Sequence, residues 1–433
     1  MEGEKIATST QSILLKNGRV IDPAHDIDGS VDVLITSGKI AALAPDLSCE
    51  GASVFDCSGK WVVPGLIDAH CHLREPGFEH KETIETGTKA AAHGGFTTVV
   101  AMANLNPVPD KLSVYNKIQQ LIAEKAVVHV LQAASVTKDL KGRDLCDMAT
   151  LTAAGVRIFS DDGLYIDRAS VLYQALKLAK KLNVIISLHE EDATLKSYWP
   201  TAYEPVNEIA AIARDLEILR VTGGQVHFQH LSTANSIELI RRAKKEGLAV
   251  TAEVCPHHLT LSLADVARQG TNAKMAPPVR THEDIAELIR GLDDGTVDMI
   301  ATDHAPHAID DKNVTFDLAA NGIVGFETAL PTLLTKLVHE QGIAPAWLIK
   351  RMSSNPAQVF GLPGGTLATG SAADVCVIDP LREWTIDKNN FFSKSRNTPY
   401  HGTSVKGCVW LTLVNGNVIF DGRQPAEDYH FVK

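Results

Sequence analysis

The run Gly65-Leu66-Ile67-Asp68-Ala69-His70-Cys71-His72-Leu73-Arg74 decides how the rest of this chain is read. A short apolar stretch, Trp61-Val62-Val63, precedes it, with Pro64-Gly65 as punctuation, and the run itself has the composition of a strand. On a strand, residues i and i+2 share a face, so the His70 and His72 imidazoles project together while Cys71 points the other way, into packing. Two imidazoles side by side make half of a metal site, and imidazole is a common zinc ligand. Taken alone, the pair is a weak signal, more often two surface or core histidines than half of a metal site. Its weight comes from what recurs downstream.

Working outward, apolar runs of strand length occur at 66–70, 97–102, 127–133, 156–160, 184–188, 226–229, 249–254 and 297–301. Helical patterns, among them 171–182, 208–221 and 236–246, fall between several of them. Such alternation predicts an α/β fold, a (β/α)8 TIM-type barrel. The open doubly wound sheet is the alternative, and no Gly-rich phosphate fingerprint supports it. Barrel chemistry sits at the C-terminal ends of strands. There the chain places His70 and His72 (first run), Asp161-Asp162 (fourth), His189 (fifth), His230 (sixth) and Asp303-His304 (eighth). Any one Asp among them is explained by a cap or turn. Six ligand-type residues at once are not, and they exceed what one tetrahedral zinc needs, so two metals sharing a bridge are expected.

Short strand-and-turn signatures flank the barrel on both sides. Segments 13–18 and 31–35 precede it, and 373–378 and 410–416 follow it. They predict a small composite β domain formed by both chain ends, with residues 1–60 and 366–433 flanking a catalytic barrel at 61–365. The chain has 433 residues, a net charge of −11 with both signs interspersed, and 45% hydrophobic residues. That balance argues against nucleic-acid or anionic-membrane binding. No apolar stretch approaches the ~20 residues needed to span a bilayer. The N-terminus shows no signal-peptide pattern. Seven cysteines, scattered without a CxxC, predict free thiols and a cytoplasmic setting.

The chain resembles the metal-dependent amidohydrolase superfamily and, within it, the longer type of cytoplasmic bacterial dihydroorotase. The resemblance rests on Pro64 to Gly77 (PGLIDAHCHLREPG), Lys81-Glu82-Thr83, Gly94 to Thr98 (GGFTT) and Phe159 to Gly163 (FSDDG). It continues in Pro256 to Leu259 (PHHL), Thr302 to His307 (TDHAPH), Gly325 to Thr328 (GFET) and Ser395 to Gly402 (SRNTPYHG). It implies that His70, His72 and Asp303 hold one zinc and that His189 and His230 hold a second. Many relatives bridge the metals with a carboxylated lysine, but residues 153–165 contain none. The longer bacterial dihydroorotases use an aspartate there, and family spacing favours Asp162, although the sequence alone does not separate it from Asp161.

The implied reaction is reversible cyclisation of N-carbamoyl-L-aspartate to dihydroorotate in pyrimidine biosynthesis, with Asp303 as the proton acceptor. Arg74, Asn104 and His307 would bind the substrate carboxylate, Arg74 through a bidentate fork. The plain alternatives are an ion pair of Arg74 with Glu75 or Glu79, and a capping role for His307. His257 and His258 are read as packing or supporting residues, and His80, His93, His129 and His401 as ordinary histidines. Three positions depart from the family pattern: Leu105 replaces a hydroxyl residue, Ala276 an asparagine, and Asn321 stands in a loop that usually reads Pro-Phe. Two rival functions remain: an allantoinase or hydantoinase, and a noncatalytic dihydroorotase-like partner of aspartate transcarbamoylase. Homo-oligomerisation and association with the transcarbamoylase are open to a chain of this kind.

Overall fold

The computed structural model describes residues 12–196 and 205–423. Eight strands, Leu66–Cys71, Phe96–Ala101, His129–Gln132, Ile158–Phe159, Ile185–Leu188, Gln225–Phe228, Val250–Val254 and Met299–Ile300, fall on the eight apolar runs. They pair in parallel as two arcs, the first three strands and the last five. Two isolated bridges join the arcs into a closed ring: Ala134 pairs with Phe159, and Cys71 pairs with His304. At the second seam the His72 amide donates to the His304 carbonyl at 2.9 Å. The predicted barrel is therefore present.

The fourth and eighth strands are shorter than their apolar runs. In the eighth the reason is visible, because carboxylates take over the ladder. The Thr302 amide and hydroxyl donate to Asp68 at 2.7 and 2.6 Å. On the N-terminal side, Asp298 accepts the Ala252 amide at 2.8 Å.

Between strands, helices bury one stripe each. Helix Ala169–Leu182 buries Val171, Leu172, Ala175, Leu176 and Ala179, the helical spacing of an amphipathic segment, and ends on Asn183 in the left-handed region. Helix Ala234–Lys245 starts on Thr233, whose hydroxyl accepts the Ser236 amide. Inside the barrel, Ile67, Ala69, Val100, Met102, Ala133, Ile158, Met299 and Ala301 pack with Phe360 and Leu362. This apolar plug draws on five strands and supports the polar strand ends above it.

Both chain ends build the small β structure. A six-stranded sheet runs Asn417–Asp421, Ser404–Val414, Val375–Thr385, Trp61–Pro64, Arg19–Asp22, Ile27–Ser30. A four-stranded sheet runs Lys39–Ala44, Asp32–Thr36, Ile13–Lys16, Ser53–Asp56. Their shared core contains Leu15, Val33, Ile35, Val62, Val375, Val377, Leu411 and Leu413. Trp61–Pro64 pairs with Val375–Ile378, so the sheet continues past residue 60, where the sequence reading placed its limit. Gly65 then passes the chain directly into the barrel. A Cβ there would lie 2.1 Å from the Thr97 hydroxyl oxygen, so no larger residue fits between sheet and barrel. All seven cysteines are free, and among the described residues no helix is long and apolar enough to cross a membrane.

One contact ties the base of the barrel to the β structure. His129 Nε2 lies 3.2 Å from Asp374 Oδ2, and Asp374 Oδ1 accepts the Asn415 amide at 2.8 Å. The hydrogen bond to Asp374 raises the His129 pKa above its ordinary value, against the effect of burial. A raised histidine contributes stability that is complete below the unfolded pKa of about 6.5 and is lost as pH rises through the folded value. His129→Gln is therefore expected to lower Tm most below about pH 6.5, with the gap to the parent closing as pH rises. A gap that stays constant across that range in thermal melts would show that the contact carries no charge.

Candidate active site

The six strand-end residues singled out by the sequence meet at the C-terminal mouth of the barrel. His70 Nε2 lies 3.3 Å from Asp162 Oδ1, and His72 Nε2 lies 3.4 Å from Asp162 Oδ2 and 3.0 Å from Asp303 Oδ1. From the other side, His189 Nδ1 lies 3.5 Å and His230 Nε2 3.8 Å from Asp162 Oδ1. Two triads result, His70-His72-Asp162 and Asp162-His189-His230, with the ligand atoms of each within 4.8 Å of one another. Asp162 belongs to both. Its neighbour Asp161 turns away: it accepts the Val136 and Thr137 amides at 2.8 and 3.0 Å and the Thr137 hydroxyl. The choice between the adjacent aspartates is thus made by the loop at residues 136–137.

Three of the four imidazoles are oriented from behind. His70 Nδ1–H donates to Glu253 at 2.6 Å, which leaves Nε2 as the lone-pair nitrogen; that atom is buried and has no hydrogen-bond partner. His72 Nδ1–H donates to the Asn104 side-chain oxygen at 2.9 Å, so its Nε2 also faces the centre. His189 turns its Nε2 toward Glu191 at 3.5 Å and its Nδ1 toward Asp162. Lone pairs aimed inward, with N–H groups tied to acceptors outside, are how metal-ligating histidines are held. The N/O donor set fits a divalent metal such as zinc.

Electrostatics call for positive charge at this point. Burial lowers the His70 pKa, but the charges of Asp162 and Glu253 overcome it and hold the imidazole well above its ordinary value. Burial likewise lowers His189, and hydrogen bonds to Asp162 and Glu191 bring it up to about 9. Asp162 and Asp303 are held below the usual carboxylate range: burial pushes both up, and the His70 charge and contacts from neighbouring histidines pull both down further. Buried carboxylates converging on imidazoles are matched by protons or by a cation. Asp161, away from the centre, goes the opposite way, and burial pushes it up to about 6.

A cavity of about 310 Å3 opens over the two triads. It is lined by His72, Asp162, His189, His230 and Asp303, and also by Arg74, Asn104 and His307. Arg74 is buried; its Nε donates to the Pro306 carbonyl at 3.2 Å, and its Nη atoms have no protein partner among the described residues. Neither expected ion pair forms, because Glu75 pairs with Lys125 and Glu79 accepts the Gly77 amide. His307 is already engaged: Nε2 donates to the Asn321 carbonyl at 2.7 Å, and Nδ1 lies 3.5 Å from Lys81 Nζ. Arg74, His230 and Asp303 have φ of 61°, 35° and 47°. Non-glycine residues pay on the order of 1–3 kcal/mol for such backbone, and they keep it where the surroundings over-determine it.

Comparison with known proteins agrees with this geometry. A family model described as Dihydro-orotase-like matches residues 59–202. The dihydroorotase of Acetivibrio thermocellus is 42% identical over 419 residues, 94% of this chain and 98% of its own. That of Pelotomaculum thermopropionicum is 43% identical over 423 residues, 95% and 99% of the two chains. The chain belongs to the dihydroorotase family. Among solved structures, the L-hydantoinase (dihydropyrimidinase) from Arthrobacter aurescens matches with a TM-score of 0.88 at 26% identity, over 94% of this chain and 96% of that one. Dihydroorotases and hydantoinases are alike cyclic amidohydrolases, enzymes acting on C–N bonds of cyclic amides.

Of the three departures from the dihydroorotase pattern, one is absorbed by the fold and two reach the cavity. Leu105 packs with Val114 and Ile118, outside the cavity, and Asn321 acts through its backbone carbonyl on His307. Ala276 and Asn321 both line the cavity, so the amide missing at Ala276 and the loop change at Asn321 are real changes there.

Glu253 was not anticipated by sequence reasoning. Its carboxylate contacts His70 Nδ1, His227 Nε2 at 3.1 Å and the His230 amide at 3.3 Å. The signal was available, since a glutamate stands within the otherwise largely apolar run that forms strand Val250–Val254; the structure buries it fully. Removing such a supporting carboxylate typically costs ~10–100-fold in metal affinity. Glu253→Gln is expected to fall in that range in chelator competition, and an unchanged affinity would assign the His70 orientation to packing alone.

Proposed function

We propose that this chain catalyses the reversible, zinc-dependent cyclisation of N-carbamoyl-L-aspartate to (S)-dihydroorotate and water, a step of pyrimidine (UMP) biosynthesis. One observation carries the reading: a buried arginine with uncommitted Nη atoms opens into the same cavity as two histidine triads that share one aspartate. Hydantoins and allantoin carry no ring carboxylate for such an arginine, which favours dihydroorotate over the rival substrates.

In this reading His70, His72, Asp162 and Asp303 hold one zinc, and Asp162, His189 and His230 hold the other. When bound, the zinc pair supplies Lewis acidity, acidifying water and polarising the ring carbonyl. Asp303 takes the proton from the attacking water and returns it to the ring nitrogen as the C–N bond breaks; ring closure runs these transfers backwards. Because Arg74 Nε is committed to Pro306, the guanidinium meets the substrate carboxylate end-on through both Nη atoms. Asn104, bonded to His72, and His307, bonded to Asn321, complete the carboxylate side of the cavity. The apolar plug beneath keeps bulk water out of the barrel interior.

The purified protein should hold two zinc ions at the paired histidine triads and open dihydroorotate reversibly; full loading of that pair with turnover of allantoin or hydantoin alone would reject the substrate. Asp303→Asn should lose at least ~10²-fold in turnover, the scale of a missing general base. Near-normal rates for that variant would place the base elsewhere. Arg74→Lys keeps the charge but not the fork, and should cost ~2–4 kcal/mol in kcat/KM for dihydroorotate with zinc content unchanged. An equal loss on a dihydropyrimidine lacking the carboxylate would make Arg74 a structural residue.

A further inference from the structure

We propose a third metal site, separate from the pair above, in which Cys255, His257 and His258 bind a borderline-soft divalent cation of the zinc or cobalt type. The three follow the seventh barrel strand, Val250–Val254, and their ligand atoms lie within 4.8 Å of one another. All are buried, with exposures of 0%, 2% and 2%. None lines the active-site cavity, and neither histidine triad contains a cysteine. The proposal goes beyond the zinc pair and can fail or stand independently of it.

The donor atoms are prepared in the way a metal requires. His258 Nε2–H donates to the Pro277 carbonyl at 2.9 Å, which fixes the tautomer and leaves the lone pair on Nδ1. That Nδ1 is buried and has no hydrogen-bond partner, and the same holds for His257 Nε2. A buried polar atom without a partner is ordinarily destabilising. Two of them beside a thiol ask for a common partner, and a cation satisfies all three. Burial keeps both imidazoles in the neutral form that ligates, with His257 pushed down to about 4 and His258 well below its ordinary value.

The Cys255 thiol is pushed up by burial and by the charges of Asp303 and Glu253. Those carboxylates oppose a bare thiolate and equally favour a cation placed against it. On binding, the S–H bond breaks, a metal–sulfur bond forms, and the proton leaves to solvent. A tetrahedral site with Zn–S of about 2.3 Å and Zn–N of about 2.0 Å has ligand-to-ligand edges of roughly 3.3–3.6 Å. The three ligand atoms here lie within 4.8 Å of one another, so binding would draw them closer together.

Cobalt is the probe, because only a thiolate ligand gives the sulfur-to-cobalt charge-transfer absorption, and the proposed zinc pair has nitrogen and oxygen donors alone. Cobalt-saturated protein should show that band and bind three equivalents per chain. Cys255→Ser should lose the band and one equivalent, retaining two equivalents and dihydroorotate turnover. Absence of the band at saturation, or its survival in Cys255→Ser, would overturn the proposal. X-ray absorption at the zinc edge of the unaltered protein needs no variant. A sulfur scatterer at about 2.3 Å is expected, and its absence from protein saturated with zinc would also overturn the site. Turnover and the two-equivalent count report on the zinc pair separately, so failure of either reading is distinguishable.

Discussion

The carboxylate of Asp68 holds together the seam on which the site depends. It accepts both the amide and the hydroxyl of Thr302, a residue 234 positions away, and so joins the first barrel strand to the last. Burial pushes its pKa up to about 7, and the Thr302 hydrogen bonds work against that rise. Two residues beyond Asp68 stands His70, and one beyond Thr302 stands Asp303. The contact that closes the ring thus also sets the spacing between the paired imidazoles and the carboxylate opposite them. Next to it, His304 stacks on Phe326 with ring centroids 4.1 Å apart, and its Nε2 lies 3.3 Å from Glu82. The left-handed backbone at Asp303 is therefore held on both flanks.

A second constraint is charge. Asp162, Asp303 and Glu253 are nearly or fully buried within contact distance of His70 or His72. Isolated buried carboxylates are costly; Glu253 is matched by the His70 N–H, His227 Nε2 and the His230 amide, whereas Asp162 and Asp303 face imidazole nitrogens and call for protons or a cation between them. The same packing that makes the centre acidic leaves lone pairs directed inward. The fold thereby builds the affinity of the site for cations before any cation arrives.

Much of this was legible in the sequence because a barrel puts its chemistry at predictable places. A ligand-type residue just past an apolar run is a strand-end residue, and His70, His72, His189, His230 and Asp303 were found in that way. What local pattern cannot give is the identity of partners far along the chain. Asp161 and Asp162 look alike until the loop at Val136 and Thr137 claims the first of them. Arg74 could be paired on paper with Glu75 or Glu79, whereas its actual acceptor is the backbone of Pro306. Glu253 was passed over because the run 249–254 was read only as an apolar strand, and its contacts to His70 and His227 arise only when the ring closes. The sheet's reach to Pro64 was missed for a related reason: an apolar segment next to the first barrel strand reads the same whether it pairs with the barrel or with Val375–Ile378.

The segment after strand Val375–Thr385 returns to the barrel mouth. Ser393 and Lys394 donate to Glu82, while Asn397 donates to the carbonyls of Ala305 and Gly322 and accepts the His307 amide. Ala305, His307 and Gly322 all line the cavity. During synthesis on a ribosome, every metal-ligand candidate has emerged well before Asn397, yet the wall above them lacks its fastening until that residue follows. The finished pocket is in this way tied to synthesis through Asn397, so a chain terminated before that residue would carry the ligand residues without the fastened wall.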